Sequence, residues 1–153
     1  MTVSIGKKAS DFTLPRDGGG TISLSEFKGQ KIILYFYPKD DTSGCTAQAC
    51  DFTENIASFN KLGAQVIGLS KDSVKKHDKF RDKYGLKFPL ASDEDSAVCS
   101  AYGVWVEKSM YGRKYMGIER TTFLIDESGK ITHIWNKVKV PGHVDEVKKA
   151  LKG

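Results

Sequence analysis

The sequence has no long apolar run. Its longest uninterrupted stretch is Ile32-Ile33-Leu34-Tyr35-Phe36-Tyr37, far short of the ~20 residues that a bilayer-spanning helix requires. The segment from Met1 to Ser10 is polar and lacks the apolar centre of a secretory leader. A cytoplasmic protein with no membrane association is therefore expected. Cysteine is scarce, with 3 in 153 residues. An odd number in a reducing compartment argues against a disulfide framework and for catalysis, metal binding or burial. Basic residues never occur four in a row, and no aromatics interleave with a basic stripe. The net charge of +5 thus reads as a solvated lysine-rich surface with a mild attraction for acidic partners, not as a nucleic-acid site. Internal repeats and low-complexity segments are absent.

Several chemistries lack their ligands or bases. Cys45 and Cys50 form Cys-x4-Cys, not the Cys-x-x-Cys of a dithiol reductase. They have no second pair with which to hold zinc. No signature around Cys45 supplies the histidine base of a cysteine hydrolase. His77, His133 and His143 lie far apart and are expected at the surface. Neither metal nor cofactor is expected.

What is present describes an ordinary globular protein, 39% apolar and 28% charged. The length suits one domain, expected over residues 1–153. Arg16-Asp17-Gly18-Gly19-Gly20 between Phe12-Thr13-Leu14 and Thr21-Ile22-Ser23-Leu24 predicts an N-terminal β-hairpin. Lys31 to Tyr37, ended by Pro38, reads as a buried central strand. Ala49, Phe52, Ile56 and Phe59 recur at helical steps, which predicts one helix from about Cys45 to Leu62, stopped by Gly63. Further strands are expected over Ala64–Ser70 and Phe88–Ala91, and further helices over Ser73–Tyr84 and Asp95–Tyr102. A hairpin of Thr121–Asp126 with Lys130–Trp135 and a closing helix over His143–Lys152 complete the pattern. That order predicts an α/β sandwich, a mixed central sheet flanked by helices.

The chemistry concentrates in Tyr37-Pro38-Lys39-Asp40-Asp41-Thr42-Ser43-Gly44-Cys45-Thr46-Ala47-Gln48-Ala49-Cys50. Cys45 falls where a strand ends and a helix begins. Unpaired N–H groups and the helix dipole at that point favour thiolate over thiol. A thiolate attacking an O–O bond drives negative charge onto the departing oxygen, and donors aimed there lower the barrier. The candidates are the Thr42 hydroxyl, the N–H groups of Gly44 and Cys45, and the permanent cation of Arg120. Taken singly, Thr42 would be a cap or turn residue, Pro38 a strand terminator, and Arg120 a partner of Glu119 or Glu107. The chemical roles gain weight only from the family resemblance that the joint arrangement with Cys45 carries. Gln48 is a candidate support for the arginine. Phe36, Tyr37 and Trp105 are expected in the core, as is Cys99, which sits in an apolar helical setting.

Pro38, Thr42, Cys45 and the distant Arg120 resemble the Pro-x-x-x-Thr-x-x-Cys motif and arginine of the peroxiredoxins. Phe36-Tyr37-Pro38-Lys39, Gly44-Cys45-Thr46, Ser92-Asp93-Glu94 and Phe123-Leu124-Ile125-Asp126 are similar to the PrxQ, or bacterioferritin-comigratory, branch. The likeness runs from Asp11-Phe12-Thr13-Leu14 to the last helix. One departure is Ser43, where the branch usually has proline, a change that leaves the loop more freedom. The resemblance implies a thioredoxin-like fold, reduction of hydrogen peroxide and organic hydroperoxides, and recycling by thioredoxin or a similar dithiol. It also implies that Cys50 resolves oxidised Cys45, as a cysteine at that spacing does in some members. Five helical steps give about 7.5 Å of rise and about 140° of rotation, so the Cα atoms stand roughly 8–9 Å apart. A disulfide needs about 7 Å or less, so oxidation is expected to unwind the first one or two turns. A chain ending soon after its last helix suits a monomer or weak dimer. The non-enzyme alternative is a redox sensor or holdase, oxidised stoichiometrically by peroxide.

Overall fold

A computed structural model describes residues 3–153; Met1 and Thr2, part of the expected domain, lie outside the described residues. The core element is β3 (Lys31–Phe36), whose side chains from Ile32 onward are all buried. A strand covered on both faces carries a continuous apolar run instead of alternating with polar residues. It pairs in parallel with β4 (Ala64–Ser70) and antiparallel with β8 (Thr121–Ile125). Addition of β5 (Leu90–Ser92) and β9 (Ile131–Trp135) gives a mixed five-stranded sheet in the order β5-β4-β3-β8-β9.

Alternation along the strands divides the core in two. Ile32, Leu34 and Phe36 of β3 join Ile67, Leu69, Phe123 and Ile125 on one face. There they meet Ile22 of the N-terminal hairpin, β1 (Thr13–Pro15) with β2 (Thr21–Ser23), and Cys99 of the short helix α4 (Ala97–Ala101). On the other face Ile33, Tyr35 and Tyr37 pack with Cys45, Ala49 and Phe52 of α1 (Ser43–Glu54) and Phe59 of α2 (Ile56–Lys61). Phe80 of α3 (Val74–Tyr84) and Val144, Val147 and Leu151 of α5 (His143–Lys152) close that layer. Among the described residues, no helix is long and apolar enough to cross a membrane.

The structure corrects the sequence reading in five places. The helix expected over Cys45–Leu62 is two helices broken at Asn55, whose side-chain amide donates to the Asp51 carbonyl (2.8 Å). The apolar face continues through the break by way of Phe52, Ile56 and Phe59, so periodicity does not reveal it. A hairpin of β6 (Trp105–Met110) and β7 (Arg113–Ile118) was not expected. Its two-residue turn, Tyr111-Gly112, has positive φ at both positions (53° and 79°), the geometry that suits tight hairpins. The Phe88–Ala91 strand is Leu90–Ser92, and the Asp95–Tyr102 helix contracts to Ala97–Ala101. Finally, His77 and His143 are buried, not superficial; His133 alone among the histidines is exposed.

Candidate active site

The central strand β3 ends at the C-terminal rim of the sheet, and Pro38, half-buried, follows its last paired residues. The loop then reaches Thr42, the extended N-cap residue of α1 (φ −97°, ψ 156°). Cys45 stands in the first turn of α1 and is 1% exposed. This places the thiol at the positive end of the helix, as the strand-loop-helix pattern implies.

Arg120 arrives from the turn between β7 and β8. Its Nη2 donates to Cys45 Sγ at 3.3 Å, while its Nη1 donates to Gln48 Oε1 at 2.7 Å. Gln48 is one helical turn beyond Cys45, on the same inward face, and is fully buried. A neutral amide thus fixes the guanidinium, and no carboxylate pairs with Arg120 among the described residues. Glu107, the surface partner considered above, instead faces Lys114 at 3.8 Å. The cation is therefore not neutralised, and its field is available to the sulfur and to any oxygen bound beside it.

The structure brings together Cys45, Arg120 and Gln48, all named from sequence. Thr42 sits at the site's edge with its hydroxyl donating to the Lys39 carbonyl (2.8 Å). Its proton is committed, so its lone pairs remain available to accept one. Lys108 of β6 was missed. It lies close enough to Arg120 and Cys45 to feel both charges: burial first, then Arg120, hold its ammonium below the usual lysine range, with Glu119 and Cys45 acting the other way. Its signal in sequence was weak because the β6–β7 ribbon itself was not recognised. Tyr35 Oη and Gln48 Nε2 are buried without a protein partner, and Tyr35 feels the charge of Cys45.

Cys50 lies half-buried in the intact α1, and all three cysteines are free thiols. Burial raises the Cys50 thiol above its ordinary range, and Glu54 and Asp51 add to the shift. Cys99 is fully buried; desolvation and then Asp93 push its thiol far up. That is the setting of an inert core cysteine. One cluster, Asp40, Asp72 and His77, brings three possible metal-ligand atoms within 4.8 Å of one another. Its donors are spent on each other: Nδ1 of His77 faces Asp40 Oδ2 at 2.6 Å, and Nε2 faces the Ala91 carbonyl at 2.9 Å. With both ring nitrogens engaged, it does not fit a metal.

Comparison with known proteins places the chain in a family. Residues 5–134 match the AhpC/TSA family. The chain is 50% identical over 152 residues to peroxiredoxin Bcp of Bacillus subtilis, covering 99% of this chain and 97% of that one. The solved structure of a cysteine-to-serine variant of PrxQ from Xylella fastidiosa superposes with a TM-score of 0.94 at 41% identity, covering 99% of this chain and 97% of that chain. A structure of the bacterioferritin comigratory protein of Xanthomonas campestris, solved for its alkyl peroxide reduction activity, gives a TM-score of 0.90 at 45% identity, covering 98% and 96%.

Proposed function

Because the chain belongs to the AhpC/TSA family, as a thioredoxin-fold peroxiredoxin of the PrxQ (Bcp) branch that reduces peroxides at the expense of thiols, we propose that Cys45 is its peroxidatic nucleophile. Its thiolate attacks one peroxide oxygen. A new S–O bond forms as the O–O bond breaks, and the second oxygen departs as hydroxide or alkoxide and takes up a proton. Sulfur is oxidised to a sulfenic acid and the peroxide is reduced.

The observation that carries this reading is the Arg120 contact with Sγ, held by Gln48 and left without a carboxylate. A fixed, unneutralised cation beside the sulfur stabilises the charge that develops on the departing oxygen. Thr42, with its proton given to Lys39, accepts the peroxide O–H and orients it. Pro38 shields the sulfur from the loop side. Gly44 and Cys45 supply N–H donors.

Cys50 then attacks the sulfenic sulfur; an S–S bond forms and water leaves. A thioredoxin-type dithiol reduces the disulfide and completes the cycle. Small hydroperoxides, alkyl hydroperoxides included, are the substrates, and the first residues of the chain through Gly153 act as one domain, a monomer or weak dimer in the cytoplasm. The test is peroxide consumption with thioredoxin, thioredoxin reductase and NADPH. Wild type should turn over many times and Cys45→Ser not at all, while Cys50→Ser should lose turnover with thioredoxin yet still consume one equivalent of peroxide. Turnover by Cys45→Ser would overturn the assignment, and a single equivalent consumed by wild type would leave a stoichiometric sensor.

A further inference from the structure

The loop that presents Thr42 and Cys45 is tied to the body of the protein at two adjacent residues: the exposed Asp41, whose carboxylate accepts from Lys83 Nζ (2.8 Å) and Tyr84 Oη (2.6 Å), and the buried Asp40. Its backbone N–H donates to Asp72 Oδ2 (2.8 Å), its Oδ1 accepts from Tyr37 Oη (2.5 Å), and its Oδ2 meets His77 Nδ1 (2.6 Å). Asp72 is itself held by the Ser70 hydroxyl (2.7 Å). His77 is completely buried and its other nitrogen faces the Ala91 carbonyl of β5.

Counting protons decides the state of this histidine. A carbonyl oxygen can only accept, so Nε2 must donate. Asp40, as a carboxylate that already accepts from Tyr37, offers only acceptor oxygens, so Nδ1 donates as well. Both nitrogens carry hydrogen, and His77 is an imidazolium. The neutral ring has one N–H and would abandon either Asp40 or Ala91.

We propose that His77, as a buried imidazolium clamped between Asp40 and the Ala91 carbonyl, is a positioning residue for peroxide reduction, fixing the loop that sets Thr42 against Cys45. The inference rests on the reading of Cys45 given above. Loss of the ring proton removes one of the ties on the loop, loosening its Asp40 end while Asp41 stays bound to Lys83 and Tyr84, and slows attack on the peroxide without touching the reacting atoms. The charged groups facing the ring are Asp40 from the loop after β3 and Asp72 from the turn after β4; Tyr37 lies 3.5 Å from Nδ1. On α3 itself, Lys76 is exposed, and Asp78 turns to the Gly18 N–H (2.7 Å). Burial opposes the charge, but the Asp40 hydrogen bond and charge, the Ala91 carbonyl and Asp72 outweigh it, and the ring holds its proton above the ordinary histidine range. Activity should therefore fall as pH rises through that raised value.

The experiment follows the His77 ring nitrogens of reduced wild-type protein by 15N NMR, alongside the second-order rate constant for oxidation by hydrogen peroxide, across pH. Two protonated ring nitrogens at pH 7 are expected, with an alkaline fall in rate at the midpoint of the His77 titration. In Asp40→Asn both midpoints should move together to lower pH, and the rate at pH 7 should fall at least tenfold. A neutral His77 at pH 7, or an alkaline limb that does not follow the ring, overturns the proposal. The wild-type comparison decides even where Asp40→Asn fails to fold. Cys45→Ser separates the two readings: if it still reduces peroxide the nucleophile is wrong, and if it is inert while the His77 correlation fails, only the positioning role is lost.

Discussion

Gly44 stands where a single methyl group would press on the Arg120 guanidinium. A Cβ built there would lie 3.1 Å from Arg120 Nη2, and the guanidinium cannot yield freely because Gln48 holds its other nitrogen at 2.7 Å. Gly44→Ala should therefore displace Arg120 by a few tenths of an ångström while improving helix propensity in the first turn of α1. Stability and activity should move in opposite directions. Urea melts are expected to place the variant equal to or up to about 1 kcal/mol above the parent, whereas the rate of peroxide reduction should fall roughly tenfold. An unchanged rate would mean that Arg120 tolerates the shift and that its exact placement is not limiting. At this scale the sequence was informative wherever chemistry and position coincide: Cys45 at a strand-to-helix junction, Arg120 opening a strand, and Gln48 one turn on. His77 was hidden because its helix, Val-Lys-Lys-His-Asp-Lys-Phe-Arg-Asp-Lys-Tyr over 74–84, looks solvated throughout. The buried strip it shares with Phe80, three residues on, is too narrow to announce itself.

At the scale of the element, the proposed Cys45–Cys50 disulfide requires α1 to unwind, and packing sets how far. Cys45 and Cys50 sit five residues apart in a regular helix, too far for a bond, but Phe52 is fully buried against Tyr35, with ring centroids 4.7 Å apart. Extracting that ring would cost about 3 kcal/mol or more, so unwinding should stop before it. The pair should also react slowly while the helix is intact, since the Cys50 thiol is held protonated by its burial and by Glu54 and Asp51. Exposure relieves the first cause, which links local unfolding to chemical readiness. Amide hydrogen exchange on the oxidised protein should show protection lost from Thr46 to about Asp51 and retained in α2, Ile56–Lys61. Equal protection in the reduced and disulfide-bonded forms would sink the unwinding step. The same elements explain which parts of the fold were legible. Strands β3 and β4 are fully covered and their apolar runs say so. The β6–β7 ribbon packs on no layer along most of its length, with Met110, Tyr111, Tyr115 and Met116 exposed, so it carries no period-two hydrophobic signal and only its Gly112 turn marked it. The break at Asn55 depends on a polar side chain turning back to the Asp51 carbonyl, a contact that hydrophobic spacing does not encode.

Across the whole molecule, two buried histidines on different elements set opposite limits on stability. His77 holds its proton above the ordinary value of 6.5: burial opposes the charge, and Asp40, the Ala91 carbonyl and Asp72 together overcome it. Its contribution is complete below the unfolded value and is lost as pH rises through the raised one. His143 is displaced the other way. Burial holds it below 6.5, Glu146 at 3.8 Å only partly offsets this, and Arg120 adds to the depression. The unfolded chain therefore takes up a proton that folded His143 refuses, so its contribution is complete above the unfolded value and is lost as pH falls through the lowered one. Both contributions are intact together near pH 6.5, so unfolding free energy from urea titrations should peak around there and decline on either side. His143→Gln keeps a hydrogen-bonding partner for the Thr122 hydroxyl, which now lies 2.8 Å from Nε2, and removes the titrating group. The variant should flatten the decline between about pH 6.5 and 5 while leaving the alkaline limb in place. The carboxylates of Asp41 and Asp126, whose proton affinities are lowered chiefly by hydrogen bonds from Lys83 and from the Lys130 backbone N–H respectively, govern only the more acidic region below that window. If the slope between pH 6.5 and 5 survives His143→Gln unchanged, the acid limb belongs to some other group and His143 is already protonated in the folded protein.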